Sequence, residues 1–251
     1  MTELTDTELE RYARHIVLPE LGGVGQRRLK QASVAVIGAG GIGSAVIPAL
    51  AGAGIGRLTI IDDGAVERSN LQRQTMFRDD QIDVSKAQLA TQFAGALNSE
   101  IAVHGIGQRL DASNSEALLA GHDLIVDGCD NFATRLVVGD TATRLQIPLI
   151  SAAAVQFQGQ IALFRGWERG KPCYRCFVGD AFDADDCDNC AEQGVLGALT
   201  ATAGSFAALL AIRSLARIGE DPAGKLFLFN GLTLEWRTIG LPKDPGCKTC
   251  G

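Results

Sequence analysis

The sequence predicts an α/β protein with a Rossmann-like, doubly wound sheet that is mostly parallel and is extended by C-terminal antiparallel strands. Three observations support this. Short β-branched runs alternate with helix-length segments over residues 33–151, the pattern of a parallel sheet covered by helices. A glycine-rich turn joins the first run to a helix. After residue 158, strand-like runs no longer alternate with helices, which predicts antiparallel pairing.

The composition is that of a folded globular protein. The chain has 251 residues, a net charge of −6 and 46% hydrophobic residues. The acidic balance and the lack of a basic run predict no nucleic-acid partner. The N-terminus has no basic segment followed by an apolar stretch, so we expect no signal peptide and a cytoplasmic location. In such a reducing compartment, seven cysteines indicate metal binding or thiol chemistry.

The first 31 residues predict a helical arm. Thr5 and Glu8 have the spacing of a capping box, which predicts a helix from there to about Ile16. Leu18-Pro19 ends that helix, and two glycines are expected to break the chain before a short helix over residues 26–31.

The strands and helices that follow can be placed by their apolar patterns. Predicted strands are Ser33–Ile37, Arg57–Ile61, a segment near residue 101, Leu124–Asp127, 148–151, 160–164, 225–229 and 236–239. Predicted helices are 44–52, 85–97, 131–145 and a long one beginning near residue 195.

The long helix has one alternative reading. Residues 195–212 run for eighteen residues without a charge, the lower limit for crossing a bilayer. Thr200, Thr202 and Ser205 make this segment only weakly apolar. We therefore expect a buried core helix and no membrane association.

A glycine loop is the first candidate binding element. Gly38, Gly40 and Gly43 fit G-x-G-x-x-G between a strand and a helix, with Gly41 beside them, which predicts backbone N–H groups free to bind phosphate. Asp62 ends the next strand nineteen residues after Gly43, where a carboxylate usually binds ribose hydroxyls. The alternative is a turn that needs glycine only for packing.

Cationic and amide side chains follow Asp62 and argue against the usual nicotinamide interpretation. Ser69, Asn70 and Arg73 lie on the ligand side of the predicted sheet, and Lys86 follows thirteen residues after Arg73. Hydride transfer does not need several cations around the phosphates, whereas phosphoryl or nucleotidyl transfer does. We therefore predict phosphoryl or nucleotidyl transfer. An NAD-dependent oxidoreductase remains an alternative, as does a solvated surface position for each of these residues taken alone.

A second acidic segment ends another buried strand. Asp130 and Asn131 follow Asp127 at the same edge of the sheet, and Asp130 is a candidate magnesium ligand. It could instead cap the next helix. Cys129, between apolar residues, is interpreted as a small core residue.

The remaining cysteines form three C-x-x-C pairs. Two such pairs can supply the four thiolates of a structural zinc site, and a redox disulfide is the alternative. Cys190 also precedes the long helix, which makes it either a candidate nucleophile or an unreactive thiol or spare ligand. The spacing does not decide which two pairs bind the metal: Cys173/Cys176, Cys187/Cys190 or Cys247/Cys250.

Together these motifs resemble the ubiquitin-activating-enzyme-like (HesA/MoeB/ThiF) family, in particular bacterial adenylyltransferases of sulfur carriers. The resemblance covers essentially the whole chain. It rests on Arg11-Tyr12-x-Arg14-His15-x-x-Leu18-Pro19, the 38–43 loop, Ser69-Asn-Leu-Gln-Arg-Gln74, Lys86, Asp130-Asn131 with Thr134-Arg135, and the cysteine pairs at 173/176 and 247/250.

The resemblance implies an activity and partners. The C-terminal glycine carboxylate of a ubiquitin-like sulfur-carrier protein ending in Gly-Gly would attack ATP and give an acyl-adenylate and pyrophosphate. The carrier would be the small subunit of molybdopterin synthase, with the thiamine-pathway carrier as the close alternative. ATP, Mg²⁺ and Zn²⁺ would be the cofactors, and a separate protein would donate the sulfur. An enzyme activating a carboxylate on tRNA and a zinc-stabilised scaffold are the remaining alternatives.

The resemblance also implies roles for particular residues. Gly41 and its loop would approach the phosphates, Asp62 would bind ribose, and Asp130 would bind Mg²⁺. Zinc would lie on the outer two cysteine pairs, and Cys190 could join the carrier covalently. The phosphates would be held by Asn70, Arg73 and Lys86.

The resemblance further implies a homodimer and a division of the chain. Arg14 would reach the nucleotide of the neighbouring subunit. Residues 1–251 would form one adenylyltransferase domain, with an arm (1–31), a nucleotide-binding core (32–158) and a carrier-binding, zinc-bearing part (159–251). One departure concerns Gly64, which stands where the family has a second aspartate.

Overall fold

The computed structural model describes residues 3–179 and 194–251, and its centre is one eight-stranded sheet. The strand order is β3-β2-β1-β4-β5-β6-β7-β8. The strands are β1 (Ser33–Ile37), β2 (Arg57–Ile61), β3 (Ala102–Ile106), β4 (Leu124–Asp127), β5 (Leu149–Val155), β6 (Gln158–Phe164), β7 (Lys225–Asn230) and β8 (Glu235–Gly240).

Helices precede the sheet and connect its strands. Two further short segments, Arg68–Asn70 and Asp79–Gln81, form 3₁₀ turns. The helices are α1 (Asp6–Arg11), α2 (Ala13–Ile16), α3 (Gly22–Gln31), α4 (Gly43–Ala53), α5 (Lys86–Leu97), α6 (Ser115–Leu119), α7 (Phe132–Leu145), α8 (Tyr174–Val178) and α9 (Gly197–Ala216).

The pairing of the strands confirms the predicted fold class. Strands β1 to β5 run parallel, and β5 to β8 pair antiparallel. From β1 the chain adds β2 and β3 on one side of the sheet and then returns to add β4 and β5 on the other side. The strand order therefore reverses between β1 and β4. Ligands bind at such a switch point in open α/β sheets, because the loops after the two strands diverge there.

Both faces of the sheet are buried. In β1, Val34 and Val36 pack into a cluster with α4 and α9, whereas Ala35 and Ile37 pack into a second cluster with α7. Because parallel strands covered on both sides have no polar face, they read as the continuous apolar runs seen in the sequence.

Helix α9 packs within this core. It contacts α4, β4, β5 and β6, and an added Cβ at Gly204 would lie 2.5 Å from the carbonyl oxygen of Ile42. By length and composition alone α9 could cross a membrane. Its burial against α4 and the sheet instead supports the prediction of a core helix.

The N-terminal arm differs from its prediction. The capping box is present, since Thr5 N–H donates to Glu8 at 2.8 Å and Glu8 N–H donates to Thr5 at 3.2 Å. The single predicted helix is wrong, because it is interrupted at Tyr12. The buried Tyr12 ring packs against Gly54, and its hydroxyl accepts a hydrogen bond from Asn98 at 2.8 Å. The expected glycine break is also wrong, since α3 begins at Gly22.

Replacing Leu50 of α4 by alanine tests the central core. Leu50 is fully buried, so we expect Leu50→Ala to lower the free energy of unfolding by about 2–5 kcal/mol in chemical denaturation. Leu232→Ala is the control, because Leu232 is 69% exposed and should change stability by no more than about 0.5 kcal/mol. Equal losses in the two variants would contradict this description of the core.

Candidate active site

A cavity of about 530 Å³ lies at the carboxyl ends of β1, β2 and β4, at the switch point of the sheet. It brings together eight of the residues that the sequence singled out: Gly38, Gly40, Gly41, Asp62, Arg73, Lys86, Asp130 and Asn131.

The glycine loop forms the floor of this cavity and needs its glycines for close backbone approach. Gly38 has φ +88°, a conformation that residues with a Cβ rarely adopt. A Cβ at Gly43 would lie 2.2 Å from the carbonyl oxygen of Gly38. Gly43 does not line the cavity itself, so a glycine is required at this position by the tight turn that starts α4.

Asp62 fastens the glycine loop to the end of β2. One carboxylate oxygen accepts the N–H of Ala39 at 2.7 Å, and the other accepts the N–H of Gly64 at 2.8 Å. The carboxylate thus holds the loop's first turn in place as well as bordering the cavity. The sequence did not reveal this contact, because it joins backbone groups from two separate turns.

Gly64 lies directly beside Asp62 and Lys86. A Cβ there would be 3.1 Å from an Asp62 oxygen and 3.3 Å from Lys86 Nζ. The missing side chain at this position leaves open space between the Asp62 carboxylate and the Lys86 ammonium group, which do not form an ion pair.

Two cations face the cavity without an acidic partner. Lys86 begins α5, and Arg73 donates to the carbonyl oxygen of Ser69 at 3.1 Å. Within residues 3–179 and 194–251, no carboxylate lies within ion-pair distance of either one. Their charge is therefore available to an anionic ligand such as a phosphate.

Ser69 and Asn70 lie beside the cavity and do not line it. Asn70 is buried, and its side-chain amide donates to the Ser69 hydroxyl at 3.3 Å. The Asn70 side-chain oxygen is buried with no hydrogen-bond partner among the described residues. These two residues shape the 3₁₀ turn that presents Arg73.

Asp130 is exposed at the cavity, and the helix-capping alternative for it is wrong. Asn131 is the N-cap of α7, since its side-chain oxygen accepts the N–H of Thr134 at 2.9 Å. The carboxylate of Asp130 is left facing the cavity, where it could bind a cation.

A buried ion pair supports this turn and was missed from the sequence. Arg135 donates to the Ser151 hydroxyl at 3.1 Å, to the carbonyl oxygen of Ala152 at 2.8 Å, and to that of Cys129. Burial acts to lower the pKa of Arg135, but its neighbours together, with the Asp127 carboxylate foremost, raise the pKa above its usual value, so the guanidinium stays charged. Burial also raises the pKa of the Cys129 thiol, which therefore remains neutral.

Four cysteines converge at the far end of α7. Their sulfur atoms all lie within 4.8 Å of one another, with Cys173 to Cys247 at 3.5 Å and Cys176 to Cys250 at 3.4 Å. A disulfide would require about 2.05 Å, whereas thiolates at about 2.3 Å from one Zn²⁺ lie about 3.8 Å apart. The donors therefore fit a single tetrahedral metal ion, as the resemblance implied for the outer two pairs.

The protonation of this cluster follows from burial and backbone contacts. Burial raises the pKa of the Cys173 thiol. Burial also acts to raise the pKa of Cys247, but hydrogen bonds from the N–H groups of Thr249 and Cys250 and from the Cys173 and Cys176 thiols together lower it, and the net pKa is lowered. Cys187 and Cys190 lie outside the described residues.

Arg14 does not reach this cavity. It lies exposed on α2 of the N-terminal arm. Its implied role in a neighbouring subunit stays a prediction.

Comparison with known proteins identifies the family. The family model described as the ThiF family matches residues 12–249. The chain belongs to the ThiF family. It is 37% identical over 251 residues to the molybdopterin-synthase adenylyltransferase of Salmonella typhimurium, covering 100% of both chains. It is 39% identical over 249 residues to the sulfur carrier protein ThiS adenylyltransferase of Escherichia coli, covering 99% of this chain and 97% of that protein.

Solved structures of the same fold support the architecture. The structure of E. coli MccB with ATP superposes with a TM-score of 0.85 at 24% identity, covering 98% of this chain and 75% of that one. At this identity the similarity shows the fold alone. The expected ThiF-type fold is therefore confirmed by both sequence and structure.

Two alanine variants test the glycine loop. Gly43→Ala would place a methyl group against the carbonyl oxygen of Gly38, so we expect a clear fall in the thermal unfolding temperature. Gly40→Ala is the control, because its nearest neighbour would be the Gln74 side chain at 3.8 Å, an ordinary contact. If both variants unfolded at the wild-type temperature, the close turn would not be required.

Proposed function

We propose that this chain is an adenylyltransferase that uses ATP to activate the C-terminal glycine carboxylate of a ubiquitin-like sulfur-carrier protein. One observation carries the proposal: the switch-point cavity combines a phosphate-binding loop with Arg73, Lys86 and Asp130. Family membership supports it, since the relatives named above are adenylyltransferases of such carriers or of the synthase that uses one.

The reaction joins the carboxylate to AMP. A carboxylate oxygen attacks the α-phosphorus, the bond between the α-phosphorus and the bridging oxygen breaks, and pyrophosphate leaves. A free carboxylate is a poor acceptor for a sulfur nucleophile, whereas the acyl-adenylate has AMP as a good leaving group. The enzyme's task is to stabilise the charge that builds up on the phosphate oxygens.

The cavity residues divide this task. The N–H groups of the loop at Gly40 and Gly41 meet the phosphates, and Asp62 borders the ribose. Arg73 and Lys86 neutralise phosphate charge, since no carboxylate among the described residues pairs with them. The turn at Ser69 and Asn70 holds Arg73 in position.

Two further components complete the nucleotide site. Asp130 holds Mg²⁺, which when bound neutralises charge on the phosphates. Arg14 of a neighbouring subunit supplies a further cation, so the active form is a homodimer. The exposed position of Arg14, away from the cavity of its own chain, supports this arrangement.

Zinc binds the four cysteines and has a structural role. A site with four protein ligands leaves no open position for substrate or water. A separate protein would donate the sulfur. The proposal also includes a covalent link between Cys190 and the carrier. The reaction takes place in the cytoplasm, without nucleic acid or membrane.

The carrier of molybdopterin synthase is the proposed substrate. The full coverage of the Salmonella molybdopterin enzyme supports it. The thiamine-pathway carrier is the second candidate, because identity to the E. coli ThiS adenylyltransferase is 39%, slightly above the 37% to the Salmonella enzyme. Family membership favours adenylation of either carrier over the hydride transfer of an NAD-dependent oxidoreductase.

Carrier-dependent exchange between ATP and pyrophosphate tests the activity. We expect the purified protein with Mg²⁺ to exchange labelled pyrophosphate into ATP only when a Gly-Gly-ended carrier is added. Offering the two carriers separately assigns the pathway. Folded protein that gives no exchange with either carrier would overturn the proposal.

Lys86→Ala tests the role of the cavity cations in this assay. Loss of one positioned charge from the phosphate site should lower the exchange rate about 10²–10³-fold. Lys225→Ala is the matched control, because Lys225 lies outside the cavity and faces Glu220 at 3.5 Å. An unchanged rate for Lys86→Ala would remove Lys86 from the phosphate site.

A further inference from the structure

One carboxylate contacts both C-x-x-C segments through residues that lie between the cysteines. Asp140 lies in the middle of α7, and its side chain is held by Arg175 and Thr249. Arg175 stands between Cys173 and Cys176, and Thr249 stands between the two cysteines of the other pair. Asp140 is thus the point at which the two C-x-x-C segments, about seventy residues apart in sequence, meet on a third element.

The contacts to Asp140 are short and directional. Arg175 Nε donates to Asp140 at 2.8 Å, and Arg175 Nη2 donates to its second carboxylate oxygen at 2.8 Å. The Thr249 hydroxyl donates to the first oxygen, also at 2.8 Å. Such forked guanidinium–carboxylate pairs fix orientation as well as distance, and this one is largely shielded, with Asp140 29% exposed.

The neighbouring glycine brings the helix close enough for these contacts. A Cβ at Gly139 would lie 2.7 Å from Tyr174 Cβ, so α7 and α8 pack without an intervening side chain. The carboxylate of Asp140 is therefore presented from a fourteen-residue helix and not from a loop.

We propose that Asp140 is a positioning residue for the metal site: it holds both cysteine pairs in the tetrahedral arrangement and slows release of the metal. This inference rests on the proposed binding of zinc. Groups that hydrogen-bond to metal ligands commonly change metal affinity about 10–100-fold, because they fix the ligand geometry in advance. Asp140 acts on the ligands through Arg175 and Thr249, and the same range is the scale expected for its effect.

The site should stay folded without Asp140, because other contacts also hold the C-terminal segment. Asp244 N–H donates to Cys176 Sγ at 3.4 Å, and Lys243 Nζ donates to the carbonyl oxygen of Gly166 at 3.0 Å. Asp140 and Cys250 both line a surface cavity of about 480 Å³. A small chelator can therefore approach the cluster from solvent at Cys250.

The test is the rate of zinc release from the full-length protein. Zinc content of each purified variant is measured first, and release is then followed with an excess of the coloured chelator 4-(2-pyridylazo)resorcinol. We expect Asp140→Ala to release zinc about 10–100-fold faster than wild type. Asp140→Asn should show a smaller increase, because its amide oxygen still accepts a hydrogen bond.

Two other variants separate positioning from a general loss of stability. Thr249→Val removes only one of the contacts, leaves the Arg175 pair intact and should give an intermediate rate. Glu116→Gln is the matched control, because this carboxylate lies 3.6 Å from Arg144, another α7 side chain, and should leave the rate unchanged. Thermal unfolding of each zinc-free variant shows whether the fold itself has changed.

The outcomes distinguish the inference from the proposed zinc site. Zinc-loaded wild type and Asp140 variants with equal release rates would overturn the positioning role and leave the metal site standing. Equal acceleration in Glu116→Gln would also overturn it, since the effect would then belong to α7 in general. Wild-type protein that holds no zinc would overturn the metal site and the inference together.

Discussion

Close packing of glycines at the turn from β1 to α4 is the constraint on which the rest of the structure depends. Three glycines allow this close packing. A Cβ at Gly43 would lie 2.2 Å from the carbonyl oxygen of Gly38, one at Gly128 after β4 would lie 2.7 Å from the Ile42 side chain, and one at Gly204 of α9 would lie 2.5 Å from the Ile42 carbonyl oxygen. Because all three contacts converge on residues 38–43, the loop is held rigidly while its N–H groups remain directed at the cavity.

The charges near the cavity have two different functions, which their partners distinguish. Arg135 is buried, ion-paired with Asp127 and hydrogen-bonded to the Ser151 hydroxyl and the Ala152 carbonyl oxygen, so its charge stabilises the turn. Arg73 and Lys86 are half-buried and have no acidic partner in the described parts of the chain. This contrast supports a phosphate-bearing ligand.

Features set by local sequence could be predicted, and features set by contacts between distant residues could not. The apolar runs gave the parallel strands, and the glycine spacing placed the cavity at the correct edge of the sheet. The capping residue of α7 was ambiguous, because Asp130 and Asn131 are both good caps and only the backbone geometry selects Asn131. The break at Tyr12 depends on Asn98, 86 residues away, and no periodicity within the arm could reveal it.

Helix α7 connects the nucleotide cavity with the cysteine cluster. Its N-cap, Asn131, lines the cavity, and Asp140 lies nine residues later, about 14 Å along the helix axis. Between them Arg135 fixes the helix to β5 through Ser151 and Ala152. A closed metal site at one end cannot take part in chemistry at the other, but it can resist movement of α7 away from the sheet. Under the proposed function, a metal bound to these cysteines would therefore help to keep the turn at Asp130 in position.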